Sequence, residues 1–151
     1  MKNLPRYKNC FVCGKENPIG LNLYFYTDDD NVYADFTFGE EHVGFKDHVH
    51  GGLLSTLLDE VMGWTVYVKL GIMFNTWELN IRFSQPLQPG IPIKAIASFV
   101  EDKKRYIIAK GEIIDAEGNV YAKGEGKYIP IKGTKFEEIM KYLEADQSST
   151  A

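Results

Sequence analysis

The sequence predicts one α+β domain in which an antiparallel β-sheet of five to six strands wraps around one long central α-helix. Three observations predict it. Hydrophobic alternation with a period of two recurs along most of the chain, a helical period appears over residues 51–70, and the connections between successive strands are short. Short connections join antiparallel neighbours, whereas parallel ones require a long crossover. A chain of 151 residues that is 44% hydrophobic, with nine Phe and nine Tyr, has the material for one such core.

Residues 1–20 carry Pro5, Gly14, Pro18 and Gly20 with little periodicity, and an irregular N-terminal segment is expected there. Residues 21–131 form the domain proper. Leu21, Leu23, Phe25 and Thr27 alternate with more polar neighbours, Asp28 to Asn31 supply turn residues, and Val32, Ala34, Phe36 and Phe38 resume the alternation as a hairpin. From Gly51 to Leu70, Leu54, Leu58, Val61, Thr65 and Val68 fall three or four apart, with Leu57 and Trp64 widening the stripe, and Gly71 is placed to end the helix. In the next strand Trp77, Leu79, Ile81 and Phe83 are expected on one face and Thr76, Glu78, Asn80, Arg82 and Ser84 on the other, before Pro86, Pro89 and Gly90 interrupt it. Further strands are read at 91–100, 106–115 and 120–129, with turns at 101–104 and 116–119. In residues 132–151, Phe136, Ile139, Met140 and Leu143 predict a short amphipathic helix, and Gln147 to Ala151 a frayed tail.

Acidic and basic residues are interspersed and sum to a net charge of −4, without the basic stripe that a nucleic-acid partner requires. No stretch reaches the roughly 20 apolar residues of a membrane span, and Met1 to Asn9 lacks the apolar core of a secretory signal, so a cytoplasmic protein is expected. Cys10 and Cys13 form one CxxC, without a second ligand pair or a βαβ pattern after it. Structural zinc takes four ligands, and only His42 or His48 could extend the pair. The two thiols are therefore read as reduced and structural, with no metal.

Chemistry is expected where the loop becomes the helix. The two glycines of His50-Gly51-Gly52 allow close approach to the backbone, and the unpaired amides of a first helical turn attract negative charge. Such an amide suits the oxyanion that develops when water attacks a thioester carbonyl, although the same glycines would also serve a tight turn against the sheet. Gly52, Ser55, Thr56, Asp59 and Gly63 place small or polar groups along one helix face. Asp59 stands among Leu57, Leu58, Val61 and Met62, a setting that fits a general base, a nucleophile forming a mixed anhydride, or a buried structural acceptor. With a rise of about 1.5 Å per residue, Gly51 and Asp59 lie about 12 Å apart along the helix, too far to serve one carbonyl. Two helices packed antiparallel across a two-fold axis would join Asp59 of one subunit to Gly51 of the other, so at least a homodimer is expected.

The run His50-Gly51-Gly52-Leu53-Leu54-Ser55-Thr56-Leu57-Leu58-Asp59-Glu60 resembles the signature of the hotdog-fold thioesterase superfamily, in particular its phenylacetate-degradation (PaaI-like) acyl-CoA thioesterase branch. The likeness extends over about residues 10–130 and includes Cys10-Phe11-Val12-Cys13-Gly14 and Asn17-Pro18-Ile19-Gly20-Leu21, a pattern of one subgroup. The resemblance implies a hotdog fold, water activation by Asp59, an oxyanion donor at the Gly51 amide, and a hydroxyl at Thr76 that positions the water. Some relatives carry Asn six residues before the His of the signature, where this chain has Gly44. Glu60 points about 100° away from Asp59 around the helix, so Asp59 is preferred and Glu60 is expected in a salt bridge or at a rim. His50 is read as a helix cap or a carbonyl-polarising group, and Ser55 as no hydrolase nucleophile, since a regular helix lacks the sharp turn that exposes one.

The substrate expected is an acyl-CoA, with coenzyme A as part of the substrate and no further cofactor. Phe45, Met62, Trp64, Met73, Phe74 and Trp77 are candidates to line an apolar acyl tunnel beside Gly52 and Ser55. Lys103, Lys104 and Arg105 form the one tight basic cluster that could meet the CoA phosphates. Two other readings remain open: a non-catalytic acyl-CoA sensor, and a hydratase or dehydratase on the same fold. The hydratase pattern has Asp five residues before a His, whereas Asp47 precedes His50 by three.

Overall fold

The computed structural model describes residues 1–144 and has the expected architecture, an antiparallel sheet around one long helix. The elements run β1 (Lys2–Asn3), β2 (Arg6–Tyr7), β3 (Tyr26–Thr27), β4 (Asn31–Phe36), a 3-10 turn (Glu40–His42), α1 (Gly51–Leu70), β5 (Phe74–Phe83), β6 (Ile93–Asp102), β7 (Ile107–Asp115), β8 (Val120–Pro130), α2 (Thr134–Met140) and β9 (Leu143–Glu144). Seven strands form one sheet in the order β1-β3-β4-β6-β7-β8-β5, and β2 pairs with β9. The strand that follows α1 therefore crosses to the far end of the sheet, leaving one side of β5 unpaired among the described residues.

The helix is bounded as its residues dictate: His50 caps the start, and Gly71 ends it in the left-handed conformation (φ 67°) that glycine adopts without steric cost. Against it, the sheet offers a floor of small residues. One cross-strand row reads Val32, Ala97, Gly111, Gly124 and Ile81 from β4 to β5. A Cβ on Gly111 would lie 3.1 Å from Met62 Cγ and 3.2 Å from the Ile96 carbonyl oxygen. Leu57, Leu58, Val61 and Met62 are thus fully buried between the helix and the sheet.

Three departures from the sequence reading have local causes. The expected strand from Leu21 is paired in the sheet only at Tyr26–Thr27. Leu21, Leu23 and Phe25 are buried as the alternation requires, but their backbones bond the N-terminal segment: Leu21 and Leu23 N–H donate to the Phe11 and Val12 carbonyls, and Leu4 N–H to that of Phe25. The turn expected at 101–104 falls later, because a bulge at Val100 keeps Glu101 and Asp102 paired with Ile108 and Ile107. Leu143 belongs to β9, opposite Tyr7, and not to α2. Gln147 to Ala151, expected as a tail, lie outside the described residues.

The N-terminal segment expected to be irregular carries β1 and β2 and contributes buried Leu4, Val12 and Cys13 to the core. Arg6, almost fully buried, donates through Nε to the Cys13 carbonyl at 2.7 Å and through Nη2 to Asn22 Oδ1, and lies over the Tyr24 ring. Among the described residues, no helix is long and apolar enough to cross a membrane.

The glycine floor is testable. Gly111→Val should destabilise the fold by about 1–3 kcal/mol through overpacking against Met62 and Ile96. A urea unfolding midpoint equal to that of the wild type would mean that the helix does not rest on that strand.

Candidate active site

The start of α1 is organised by His50. Its backbone is extended (φ −60°, ψ 128°), its Nδ1 accepts a hydrogen bond from the Gly52 N–H at 2.8 Å, and its carbonyl accepts from the N–H groups of Leu53 and Leu54. The imidazole therefore caps one open amide of the first turn, with its ring proton on Nε2. A side chain on Gly52 would collide with this ring, its Cβ lying 2.9 Å from Nδ1, which explains the second glycine. The Gly51 N–H has no acceptor among the described residues, and Gly51 lines a cavity of about 340 Å³ with His48, Leu54, Phe83, Gln85 and Pro86. An amide at the positive end of a 20-residue helix thus stands beside open space. Gly44 packs on the other side of the cap: a Cβ there would lie 3.3 Å from His50 Cδ2.

Asp59 lies eight residues along α1, about 12 Å away along the axis. Its Oδ1 accepts from Thr76 Oγ1 at 2.9 Å and from the Tyr128 hydroxyl at 3.2 Å, and that hydroxyl also reaches the Asp59 carbonyl oxygen at 3.1 Å. No donor reaches Oδ2 among the described residues. Burial pushes the Asp59 carboxyl above the usual carboxylate range, and the Thr76 and Tyr128 hydroxyls pull it partly back. Burial, and then the charge of Asp59, push the Tyr128 phenol above its ordinary value, so Tyr128 remains a donor at neutral pH.

Thr76 reaches Asp59 because β5 is bulged. Thr76 pairs with Tyr128 and Glu78 with Lys127, leaving Trp77 as the extra residue. Thr76 consequently shares the inner face with Leu79, Ile81 and Phe83, not the opposite face that uninterrupted alternation predicts. Trp77 is displaced from the tunnel position expected for it: it is 57% exposed and packs edge-on to Tyr106 on the outer face, where Lys127 pairs with Glu78. Sequence reasoning missed Tyr128. Its signal is the alternation Ala122, Gly124, Gly126, Tyr128 in β8, where the glycine at 126 is required because a Cβ there would lie 2.6 Å from the Tyr128 hydroxyl.

The remaining candidates divide. Ser55 and Thr56 hydroxyls donate to the Gly51 and Gly52 carbonyls one turn back, at 2.9 and 2.8 Å. Met62 is wholly buried against the sheet, and Phe45 is 81% exposed on the loop before α1. Trp64, largely buried, lines a second cavity together with Met73 and Phe74. Gly63 admits the Phe74 ring, which would be 2.3 Å from a Cβ there. Lys103, Lys104 and Arg105 are exposed in the turn after β6, and Lys103 pairs with Glu101 at 3.0 Å.

Glu60 is in no salt bridge among the described residues: half-buried and lining the second cavity, it turns to Cys10 Sγ and accepts from Trp64 Nε1 at 3.1 Å. Burial pushes its carboxyl up to about 8. A hydrogen bond from Cys13 draws the Cys10 thiol down to about 6, while the buried Cys13 thiol is pushed up.

Residues 46–122, just over half the chain, match the thioesterase superfamily. No curated protein matches. Among solved structures, the chain is similar to a thioesterase superfamily protein at 27% identity and a TM-score of 0.74, over 81% of this chain and 63% of that one, so it spans less than two thirds of that relative. A Bacillus halodurans protein solved with CoA is 32% identical over 65% of this chain and 70% of its own, with a TM-score of 0.60. The E. coli PaaI protein from the phenylacetic acid degradation operon, at 22% identity and a TM-score of 0.69 over 76% and 83% of the two chains, shares the hotdog fold.

Removing either hydroxyl donor should raise the Asp59 pKa further, since both stabilise the ionised form. A carboxyl-carbon NMR titration of Tyr128→Phe and Thr76→Val, compared with wild type, checks this; an unmoved or lowered midpoint in both would contradict the geometry.

Proposed function

Because the chain belongs to the thioesterase superfamily, we propose that it hydrolyses an acyl-CoA thioester to the free acid and CoA, as a member of the PaaI-like branch. The observation that carries this reading is the state of Asp59: both hydroxyl donors fix Oδ1, and Oδ2 is left to accept a proton from water. In this scheme Asp59 takes the proton as hydroxide attacks the thioester carbonyl, an open Gly51 amide receives the oxyanion, and collapse breaks the C–S bond, the CoA thiolate leaving with the proton that Asp59 took up. His50 holds that amide in place by capping its neighbour, and Thr76 orients the carboxylate. Direct attack by Asp59, which expels the CoA thiolate and gives a mixed anhydride that water then opens, uses the same groups.

The separation of Asp59 from Gly51 supports a site shared between two subunits, with the oxyanion donor being Gly51 of the partner subunit. So does β5, which ends the sheet and exposes Leu79 and Phe83, the latter by 49%, along its inner face. An unpaired edge with exposed apolar side chains is where a second copy would dock. The acyl group would enter beside Gly51 and Phe83. Lys103, Lys104 and Arg105, exposed and near the surface, are proposed for the CoA phosphates. The coenzyme A bound by the Bacillus halodurans relative supports CoA as the carrier.

Free-thiol release from a panel of short, long and aromatic acyl-CoAs tests the reading. Asp59→Asn and Asp59→Ala should lose about 10² or more of the wild-type rate while retaining its oligomeric state. Incorporation of ¹⁸O from labelled water into Asp59 in a single turnover, or trapping of an acyl–Asp59 anhydride, would select the nucleophilic route; ¹⁸O in the product acid alone with no anhydride trapped would select the general base. Binding of acyl-CoA without turnover would replace hydrolysis by sensing.

The active form has Asp59 ionised, so kcat/KM should fall as the pH drops through a raised Asp59 pKa, with the acidic limb above the ordinary carboxylate value. An acidic limb at or below that value would remove Asp59 as the titrating base. Sedimentation should find a dimer or a larger even oligomer; an active monomer would exclude the shared site.

A further inference from the structure

The CxxC near the start of the chain takes no part in the chemistry above, yet the fold brings a third ligand-type group to it. Glu60 leaves α1 about 100° around from Asp59, toward the N-terminal turn. Its Oε2 and Oε1 lie 3.4 and 3.7 Å from Cys10 Sγ. The two sulfurs and a Glu60 carboxylate oxygen all lie within 4.8 Å of one another, and both cysteines are free thiols. His42 and His48, the further ligands open to the sequence, are not in this group.

We propose that Cys10, Cys13 and Glu60 bind one thiophilic divalent cation, Zn²⁺, through three protein ligands, with the fourth position open to the adjoining cavity. Tetrahedral zinc, with sulfur at about 2.3 Å and oxygen at about 2.0 Å, sets neighbouring sulfur and oxygen ligands about 3.5 Å apart. The observed Cys10–Glu60 separations match that edge. The turn is also shaped for ligation. Val12 N–H donates to Cys10 Sγ at 3.3 Å, and Gly14 N–H closes the turn on the Cys10 carbonyl at 2.9 Å. An amide directed at sulfur favours the thiolate that a metal requires. Gly14 is obligatory in this turn, since a Cβ there would sit 2.5 Å from Cys10 N and 2.7 Å from the Lys8 carbonyl oxygen.

The carboxylate is held from behind by Trp64 Nε1 at 3.1 Å, the outer-shell support that orients metal ligands. No Lys, Arg or His pairs with Glu60 among the described residues. Two thiols and a carboxylate gathered without a cation must hold protons or take up a metal, and metal binding releases those protons. Two sulfur ligands select zinc over magnesium or calcium. Three protein ligands leave one position, and Cys10 and Glu60 line a cavity of about 330 Å³ with Tyr7, Met73, Phe74 and Asn75 that could admit water or a small donor ligand there.

The test uses the full chain and does not depend on turnover, so it stands apart from the hydrolase reading. Protein purified without chelators is assayed for metal, then stripped and titrated with Co²⁺ and with Zn²⁺. Expected are one ion per chain and a near-ultraviolet thiolate-to-cobalt band displaced by Zn²⁺. Cys10→Ser should abolish that binding; Glu60→Gln should keep the band but weaken affinity by more than about tenfold, the lower range for losing even an outer-shell partner. Circular dichroism checks that each variant folds, and Glu60→Gln, nearly isosteric, carries the test if Cys10→Ser does not. Wild type without the cobalt band and without saturable Zn²⁺ binding overturns the proposal, as does unchanged affinity in Glu60→Gln.

Discussion

The close seating of α1 on a floor of alanines and glycines is the constraint on which the other features depend. Ala95, Ala97, Ala109, Gly111, Ala122, Gly124 and Gly126 line the strands beneath a helix whose middle is bulky and fully buried. Were that floor built of larger side chains, the helix would ride higher, and Asp59 would lose the strand hydroxyls of Thr76 and Tyr128 that meet it. The floor also explains why β8 can hold a tyrosine of full size: Gly126 vacates the volume that the Tyr128 ring occupies. Packing and chemistry are therefore one arrangement, since protein interiors leave little slack for a helix to shift without moving the groups it carries.

With the helix seated, its rotation sorts two consecutive carboxylates. Asp59 points to the open end of the sheet, between β5 and β8, and Glu60 to the N-terminal turn and Trp64. Both are held above the ordinary carboxylate range by burial, but their neighbours differ: hydroxyl donors at Asp59, sulfur and an indole N–H at Glu60. Adjacent acids are so separated because a helix turns about 100° per residue, which gives each its own set of partners.

The bulge at Trp77 does comparable work on the strand side. Without it Thr76 would face away from Asp59, and the inner-face series Leu79, Ile81, Phe83 could not coexist with Thr76 on one face. One extra residue inverts the parity of a strand locally, which is how bulges re-aim side chains near sites. The same step turns Trp77 outward to Tyr106.

Periodicity and punctuation were enough to read α1 to its end residues, the strands from β5 to β8 within a few positions, and the fold class, because these are local signals: a helical stripe closed by glycine, and alternation broken by proline and turn residues. His50, Gly51 and Asp59 could be singled out for the same reason, since they lie within one continuous run. Tyr128 could not, standing 69 positions from Asp59 in sequence, and neither could the approach of Cys10 to Glu60 across 50. Parity in β5 departs from the alternation of residue types because a bulge leaves no mark in it; the bulge is imposed by pairing with β8. Local pattern in the chain was sufficient for the long helix, for most of the strands and for naming candidate site residues. Only the tertiary structure decided which of those residues meet, because contact across the sheet depends on register, bulges and the volume glycine leaves open, and none of these is written in any single stretch of chain.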